Sequence, residues 1–518
     1  MQLGFVLDQS RCIGCHACTV ACKSENDVPL GNFRTWVKYT ENGMFPDVKR
    51  SFTVLRCNQC SDAPCVTICP VSALEKRIDG IVDVDHRVCI GCKACLQGCP
   101  YDALYLNTTT GTVQKCHFCV HRTERGLAPA CAIVCPTEAI IPGDFHDPES
   151  RVSRMRDEGQ LVGRKLEAKT YPNVLYKAAH RSGIDPLLTS AAGGFLWANS
   201  TPGIQLDADS FRALEDRATA RTTYDVAHPP LWGNKVTGYL FTKSIAAGSF
   251  LALALLLTPW TLGGIVPAEL RGGAPAVGLL FLLLTTALLV GDLKRIDRFY
   301  FILTRPNWSS WLAKGTYVLV LFGALLTAWL GLGLFLPDES YRGFVSSAPG
   351  LALLLITVIA AALAACYTAW LFGQAKGRVL WLRRGLWLHL ILQAGIAGCG
   401  LWLVTLEVLG APGGSLEILR NGLLASLAGH GLLSLLEGKL APDGREKEYA
   451  ETHRLISHGP FALSHWVLGV GVGIVVPTLL LLLGGSTPLA ATAGFLALIG
   501  LLVEEHIFVR AGQALPIS

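Results

Sequence analysis

Sixteen of the eighteen cysteines fall within the first 135 residues, in four groups of four. They read Cys12-x2-Cys15-x2-Cys18-x3-Cys22, Cys57-x2-Cys60-x4-Cys65-x3-Cys69-Pro70, Cys89-x2-Cys92-x2-Cys95-x3-Cys99-Pro100 and Cys116-x2-Cys119-x11-Cys131-x3-Cys135-Pro136. Three closely spaced thiolates wrap three irons of a [4Fe-4S] cube, and the last cysteine of such a run points away to a neighbouring cube. Zinc needs four ligands, usually from two separated pairs, so the third cysteine of the first and third groups would be superfluous. Disulfide scaffolds are short secreted chains, and this one has 518 residues. The count is that of four [4Fe-4S] clusters. His16, His86, His117 and His121 stand near cysteines, but the ligand set is complete without them. Cys366 and Cys399, isolated in apolar runs, read as buried thiols.

After each Cys-Pro the chain repeats a small pattern, Ala73-Leu74, Ala103-Leu104 and Ala139-Ile140, read as a short helix opened by proline. "GIVDVD" (80 to 85) and "LYLNTTTGTVQKC" (104 to 116) alternate apolar and polar residues around glycine, as hairpin strands do. The expectation is an α+β, duplicated bacterial-ferredoxin-like domain over residues 1–190, then a linker or tail over 191–234. Within the tail, "AAGGFLWANSTPG" (191 to 203) is the most linker-like stretch. Residues 1–190 resemble the four-cluster ferredoxin subunits of membrane-bound molybdopterin oxidoreductases such as dimethyl sulfoxide reductase and polysulfide reductase. "CKSENDVPLGNFRTWV", "CNQCSDAPCVTICPVSAL" and "CHFCVHRTERGLAPACAIVCPTEAIIPGD" carry the likeness. The resemblance implies one cube on Cys12, Cys15, Cys18 and Cys135, and a second on Cys22, Cys116, Cys119 and Cys131. A third takes Cys57, Cys60, Cys65 and Cys99, and a fourth Cys69, Cys89, Cys92 and Cys95. It also implies a molybdopterin-type catalytic partner, with this domain conducting electrons rather than converting substrate.

From Val236 onward, apolar stretches of about 20 residues recur, the length that crosses a hydrocarbon core. They read as 236–258, 274–291, 314–336, 350–371, 385–410, 416–436, 464–484 and 488–510, so residues 235–518 form an all-α transmembrane bundle of eight helices. An even number leaves both ends on one side. On that side the loops and the C-terminal segment carry fourteen Lys and Arg residues, among them Lys294, Arg384 and Arg510, against Arg271, Arg342 and Arg420 on the other. This bias places the ferredoxin domain in the cytoplasm and the bundle in the inner membrane. Only eleven residues precede Cys12 and no twin-arginine pair stands among them, which also argues against export. The modest net charge of +5 gives no case for nucleic acid.

"GYLFTKSIAAGSFLALALL", "GDLKRIDRFYFILTRPNWSSWLAKGTYVLVLFGALL" and "VRAGQALPIS" resemble the eight-helix quinone-binding anchors of the NrfD type found in polysulfide reductase. Ionisable side chains inside a bilayer are expensive and mark sites. The resemblance points to Tyr239, Lys243 and Tyr367 as the pocket for menaquinone or ubiquinone, and position alone adds His389. Haem is not expected: His389, His430, His465 and His506 lie in one half of the membrane without partner spacing. The reading that follows is an electron-transfer and anchor subunit that reduces quinone at the expense of a cytoplasmic metabolite such as sulfite or formate. Two alternatives rank behind it, a redox-driven proton-translocating module using Asp292, His389 and Glu504, and a haem-b anchor. Against the first, Glu407, Arg420 and Asn421 reach the opposite half but leave a gap at mid-membrane.

Overall fold

The computed structural model describes residues 1–43, 46–197, 220–257, 266, 268–410, 413–483 and 487–518. In the N-terminal half, strand β1 (Leu3–Asp8) pairs with β8 (Ile140–Asp144) antiparallel and with β10 (Val174–Lys177) parallel, and β9 (Leu161–Gly163) closes the sheet beyond β10. A second sheet runs β11 (Thr189–Trp197), β12 (Ala220–Asp225), β2 (Thr35–Asn42), β3 (Lys49–Arg56). Two hairpins complete the half: β4 (Leu74–Lys76) with β5 (Val82–Val84), and β6 (Leu104–Asn107) with β7 (Thr112–Lys115).

The short helices expected after Cys-Pro lie before it instead. Pro64–Ile68, Ala94–Gly98 and Ala130–Ile133 are helical, and the chain then turns into β4, β6 and β8. The reason is local. A residue preceding proline is pushed out of the helical region, and Cys69 and Cys99 are extended, with ψ of 119° and 118°. Each proline thus ends a helix rather than opening one.

The described parts of 191–234 include strand. β12 pairs antiparallel with β2, and β11 runs parallel to β12. The remainder of the linker-like stretch, 198–203, lies outside the described residues.

Among the described residues, eight helices of 20 residues or more follow: α1 (Asn234–Leu256), α2 (Ala268–Gly291), α3 (Trp311–Phe335), α4 (Ala348–Gln374), α5 (Leu386–Val408), α6 (Gly413–Leu436), α7 (Ser464–Leu483) and α8 (Thr487–Ala511). Among the described residues, all but α6 are both long and apolar enough to cross a membrane. α6 carries Glu417, Arg420, Asn421 and His430, and the Arg420 Nε donates to the Leu481 carbonyl (3.1 Å). α1 and α5 are the central pair, touching at Gly248 and Gly398, where a Cβ on either would strike the other's backbone. Gly473 of α7 and Gly500 of α8 meet in the same way, the small-residue packing that lets helices associate without a hydrophobic drive.

The loops after α2, α4 and α6 and the segment after α8 all meet the N-terminal half. Asn307 donates to the Cys69 carbonyl (2.8 Å), and Arg378 to Gln97 Oε1 (2.8 Å). Lys165 pairs with Glu448, and Gln97 Nε2 donates to Gln513 Oε1 (2.9 Å). The two halves share one apolar core, in which Ile68, Ile90 and Leu96 pack with Trp232, Phe372 and Trp381.

Candidate functional site

Cysteines of different groups come together in the structure. A cleft of about 330 Å³ is lined by Cys69, Cys89, Cys92 and Cys95, and one of about 270 Å³ by Cys22, Cys116, Cys119 and Cys131. Cys60 has Cys57, Cys65 and Cys99 as its thiol neighbours; Cys12 has Cys135 and Cys15, and Cys18 has Cys12. Among the described residues no three His, Cys, Asp or Glu side chains converge tightly enough to hold a single metal ion. Thiols spread around a cleft suit a cluster with an iron at each ligand, not one tetrahedral zinc.

Electrostatic neighbours across the four expected sets fall in a definite order. Cys18 of the first neighbours Cys131 of the second, Cys57 of the third neighbours Cys116 of the second, and Cys65 of the third neighbours Cys69 of the fourth. At one end, Cys15 is exposed. At the other, Trp232 Nε1 reaches the Cys92 carbonyl (3.5 Å), and Lys93, between two ligands of the fourth set, pairs with Asp292 beyond α2 (2.7 Å).

Burial pushes the thiols up, Cys18 to about 11 and Cys65 to about 12, and neighbouring sulfurs add to it. Bare thiolates packed this way repel, so the sites demand positive charge. Part comes from the chain: fully buried Arg56 donates to Cys131 Sγ (3.4 Å), and buried Lys115 faces Cys57, Cys65 and Cys116. Backbone N–H groups of Ala73, Val113 and Ala139 reach the sulfurs of Cys69, Cys89 and Cys135 at 3.3, 3.5 and 3.2 Å, contacts that tune a cluster's potential. Two of the histidines near the groups are engaged elsewhere, while His117 lines the second cleft with its buried Nδ1 unpartnered among the described residues. His121 pairs with Glu25 (2.7 Å), and His16 packs against Tyr39 and Tyr224.

In the bundle, the four residues expected at the quinone site divide. Lys243 Nζ donates to the Ala365 carbonyl (2.7 Å) and the Thr368 hydroxyl (2.5 Å) and lies 5.3 Å from the Tyr367 ring centre. Tyr239 is in electrostatic reach of Tyr367, Glu505 and Asp292. These three form one buried group. His389 lines a separate cleft of about 440 Å³ with Gln393, His465, Glu504 and Glu505. Its ring packs on that of His430, centres 4.4 Å apart, which leaves no space for a porphyrin between them. His465 is bonded to Glu504 (3.0 Å). Sequence reasoning missed Glu505 as the link between cleft and Lys243, although it stood among the polar residues of the last span.

Matches to known families cover parts of both halves. Residues 48–145 match the model of a 4Fe-4S dicluster domain, and residues 223–516, more than half of the chain, match that of polysulphide reductase, NrfD. The chain belongs to the polysulphide reductase NrfD family. Its N-terminal part is 43% identical over 196 residues to a subunit of the tetrathionate reductase of Salmonella typhimurium, covering 37% of this chain and 78% of the relative. It is 38% identical to one of the chains of the polysulfide reductase of Wolinella succinogenes (36% and 98% covered). It is 35% identical to the iron-sulfur subunit of the arsenate respiratory reductase of a Shewanella species (34% and 96% covered). The chain is therefore an iron-sulfur electron-transfer subunit fused to an NrfD-type, multi-pass membrane module.

Proposed function

We propose that the chain is the electron-transfer and anchor subunit of a molybdopterin-type oxidoreductase, linking a cytoplasmic catalytic subunit to the quinone pool of the inner membrane through an anchor of eight spans. The sixteen cysteines would hold four [4Fe-4S] clusters, which accept and release single electrons. The observation that carries this reading is the order of the cysteine sets, from exposed Cys15 to a last set seated on Trp232, Asn307 and the Lys93–Asp292 pair. A quinone headgroup needs hydrogen-bond partners for two oxygens in a dry site, and buried Tyr239, Lys243 and Tyr367 would supply them, Tyr239 sharing the apolar core of the last set; His389 faces the adjoining cleft. In this direction the substrate is a reduced metabolite such as sulfite or formate, and menaquinone or ubiquinone is reduced. The three relatives described above are reductase components, which favours the opposite flow with quinol as donor.

The test is purification of the intact complex with its metal content, subunits and optical spectrum. Expected are a molybdenum- or tungsten-bearing partner, about sixteen irons from this chain, no b-type haem band, and reoxidation of the reduced clusters by a menaquinone analogue. Absence of a catalytic subunit, or clusters inert to quinone and quinol alike, would sink the reading. Which of substrate or quinol reduces the clusters separates the two directions.

A further inference from the structure

Glu505, on α8, is 1% exposed, and its Oε1 has no hydrogen-bond partner. A buried carboxyl oxygen without a donor is costly inside a membrane and calls for an explanation. Two surroundings meet at it. On one side, Lys243 is the first cation that Glu505 faces, followed by Arg383, and Tyr239 lies in the same electrostatic group. On the other side is the cleft, with room for a water molecule at its centre.

Most of the cleft's polar lining is already engaged. Arg383 pairs with Glu437, and His465 Nδ1 bonds Glu504 Oε1. Gln393 Oε1, 3% exposed, is the second buried acceptor left without a donor. Two orphaned acceptors around one polar cleft are what water satisfies. The wall opposite is built for this. α7 begins as a π-helix over Ser464–Val475, a widened turn found at functional sites, and it carries His465 to Glu504 while Gly473 lets α8 approach at Gly500.

We propose that the cleft is a water site and that Glu505 is the relay through which the quinone group of Tyr239, Lys243 and Tyr367 exchanges protons with it. The inference rests on the quinone reading above. Reduction of a quinone to quinol takes two electrons, delivered singly from the clusters, and two protons. For each in turn the carboxyl O–H of Glu505 breaks, a proton passes by way of Lys243 or Tyr239 to a quinone oxygen, and the carboxylate regains a proton that cleft water beside Glu504 and His465 relays from the aqueous phase. Quinol oxidation runs each transfer in reverse.

The experiment is redox-difference infrared spectroscopy on the intact complex in liposomes with a menaquinone analogue, alongside single-turnover reoxidation of the reduced clusters. A carboxyl band that changes with quinone reduction should vanish in Glu505→Gln and shift in Glu505→Asp. It should persist in Glu417→Gln, near the start of α6. Reoxidation in Glu505→Gln should slow about a hundredfold, the scale of lost proton transfer, with iron content unchanged. A band and rate that survive in Glu505→Gln overturn the proposal while leaving the quinone reading intact. If Glu505→Gln does not assemble, an unshifted band in Glu505→Asp overturns it equally. Wild-type clusters that quinone cannot reoxidise overturn both.

Discussion

Cys99 shows how much one residue can reveal about the whole wire. It follows Cys95 by four positions, yet its thiol neighbours are Cys65 and Cys57, while Cys95 faces Cys92, Cys69 and Cys89 first and Cys65 only after them. Cys99→Ser should therefore remove a ligand from the third set, lower the iron content, abolish quinone-linked turnover and leave the bundle in the membrane. Normal turnover in that variant, followed with cluster spectra, would refute the conduction order. The cysteine spacing was legible because ligand runs are local: three thiols within seven positions can surround one object and little else. Glu505 was not. Glu504, Glu505 and His506 are consecutive on one helix, and only packing decides that Glu504 bonds His465 while Glu505 comes within electrostatic reach of Lys243.

At the scale of elements, the contact of α1 with α5 depends on the absence of two side chains. Gly248→Ala should cost about 1–3 kcal/mol, because its Cβ meets the Ala394 carbonyl on a rigid helix, read as a lower unfolding midpoint in detergent. The helix Glu446–Ser457 between α6 and α7 makes the other vulnerable contact, where Glu448 lies between Lys165 and Arg445. Burial alone would raise the Glu448 carboxyl, but the two cations outweigh it and hold its pKa below the usual range. Since the folded value is the lower one, this contribution is complete above about pH 5 and is lost as the pH falls below about 4. Glu448→Ala leaves two buried cations unpaired and should cost about 3–5 kcal/mol, seen in denaturation of the full chain; an unchanged midpoint would deny the contact its role. Seven of the expected spans were readable within a few residues because hydropathy is a property of the segment itself, whereas the sixth stretch is a helix too polar to qualify. The helices around Cys-Pro were misplaced because proline both opens and ends helices, and the pattern Ala-Leu after it suits a strand equally. β12 joining β2 across about 180 residues has no local signal at all.

For the whole molecule, the open issue is which side of the membrane the clusters occupy. The excess of Lys and Arg on the ferredoxin face predicts the cytoplasm, yet many of these residues are engaged in docking or local pairs. Arg378 binds Gln97, Arg298 the carbonyls of His86 and Cys89, Lys376 pairs with Asp62, and Arg384 with Asp443. A charge retained to hold the ferredoxin domain would stay on that face in either orientation, so the bias carries two meanings and labelling must separate them. Gly343, in the exposed helix Asp338–Ser346 between α3 and α4, and Gly438, after α6, lie on opposite faces, and neither has an atom within 4 Å of an added Cβ. Gly343→Cys should react with an impermeant thiol reagent in intact cells stripped of their outer membrane, and Gly438→Cys only after lysis. The reverse pattern would place the wire outside, together with its catalytic partner, and would show that the basic residues serve the interface rather than the topology.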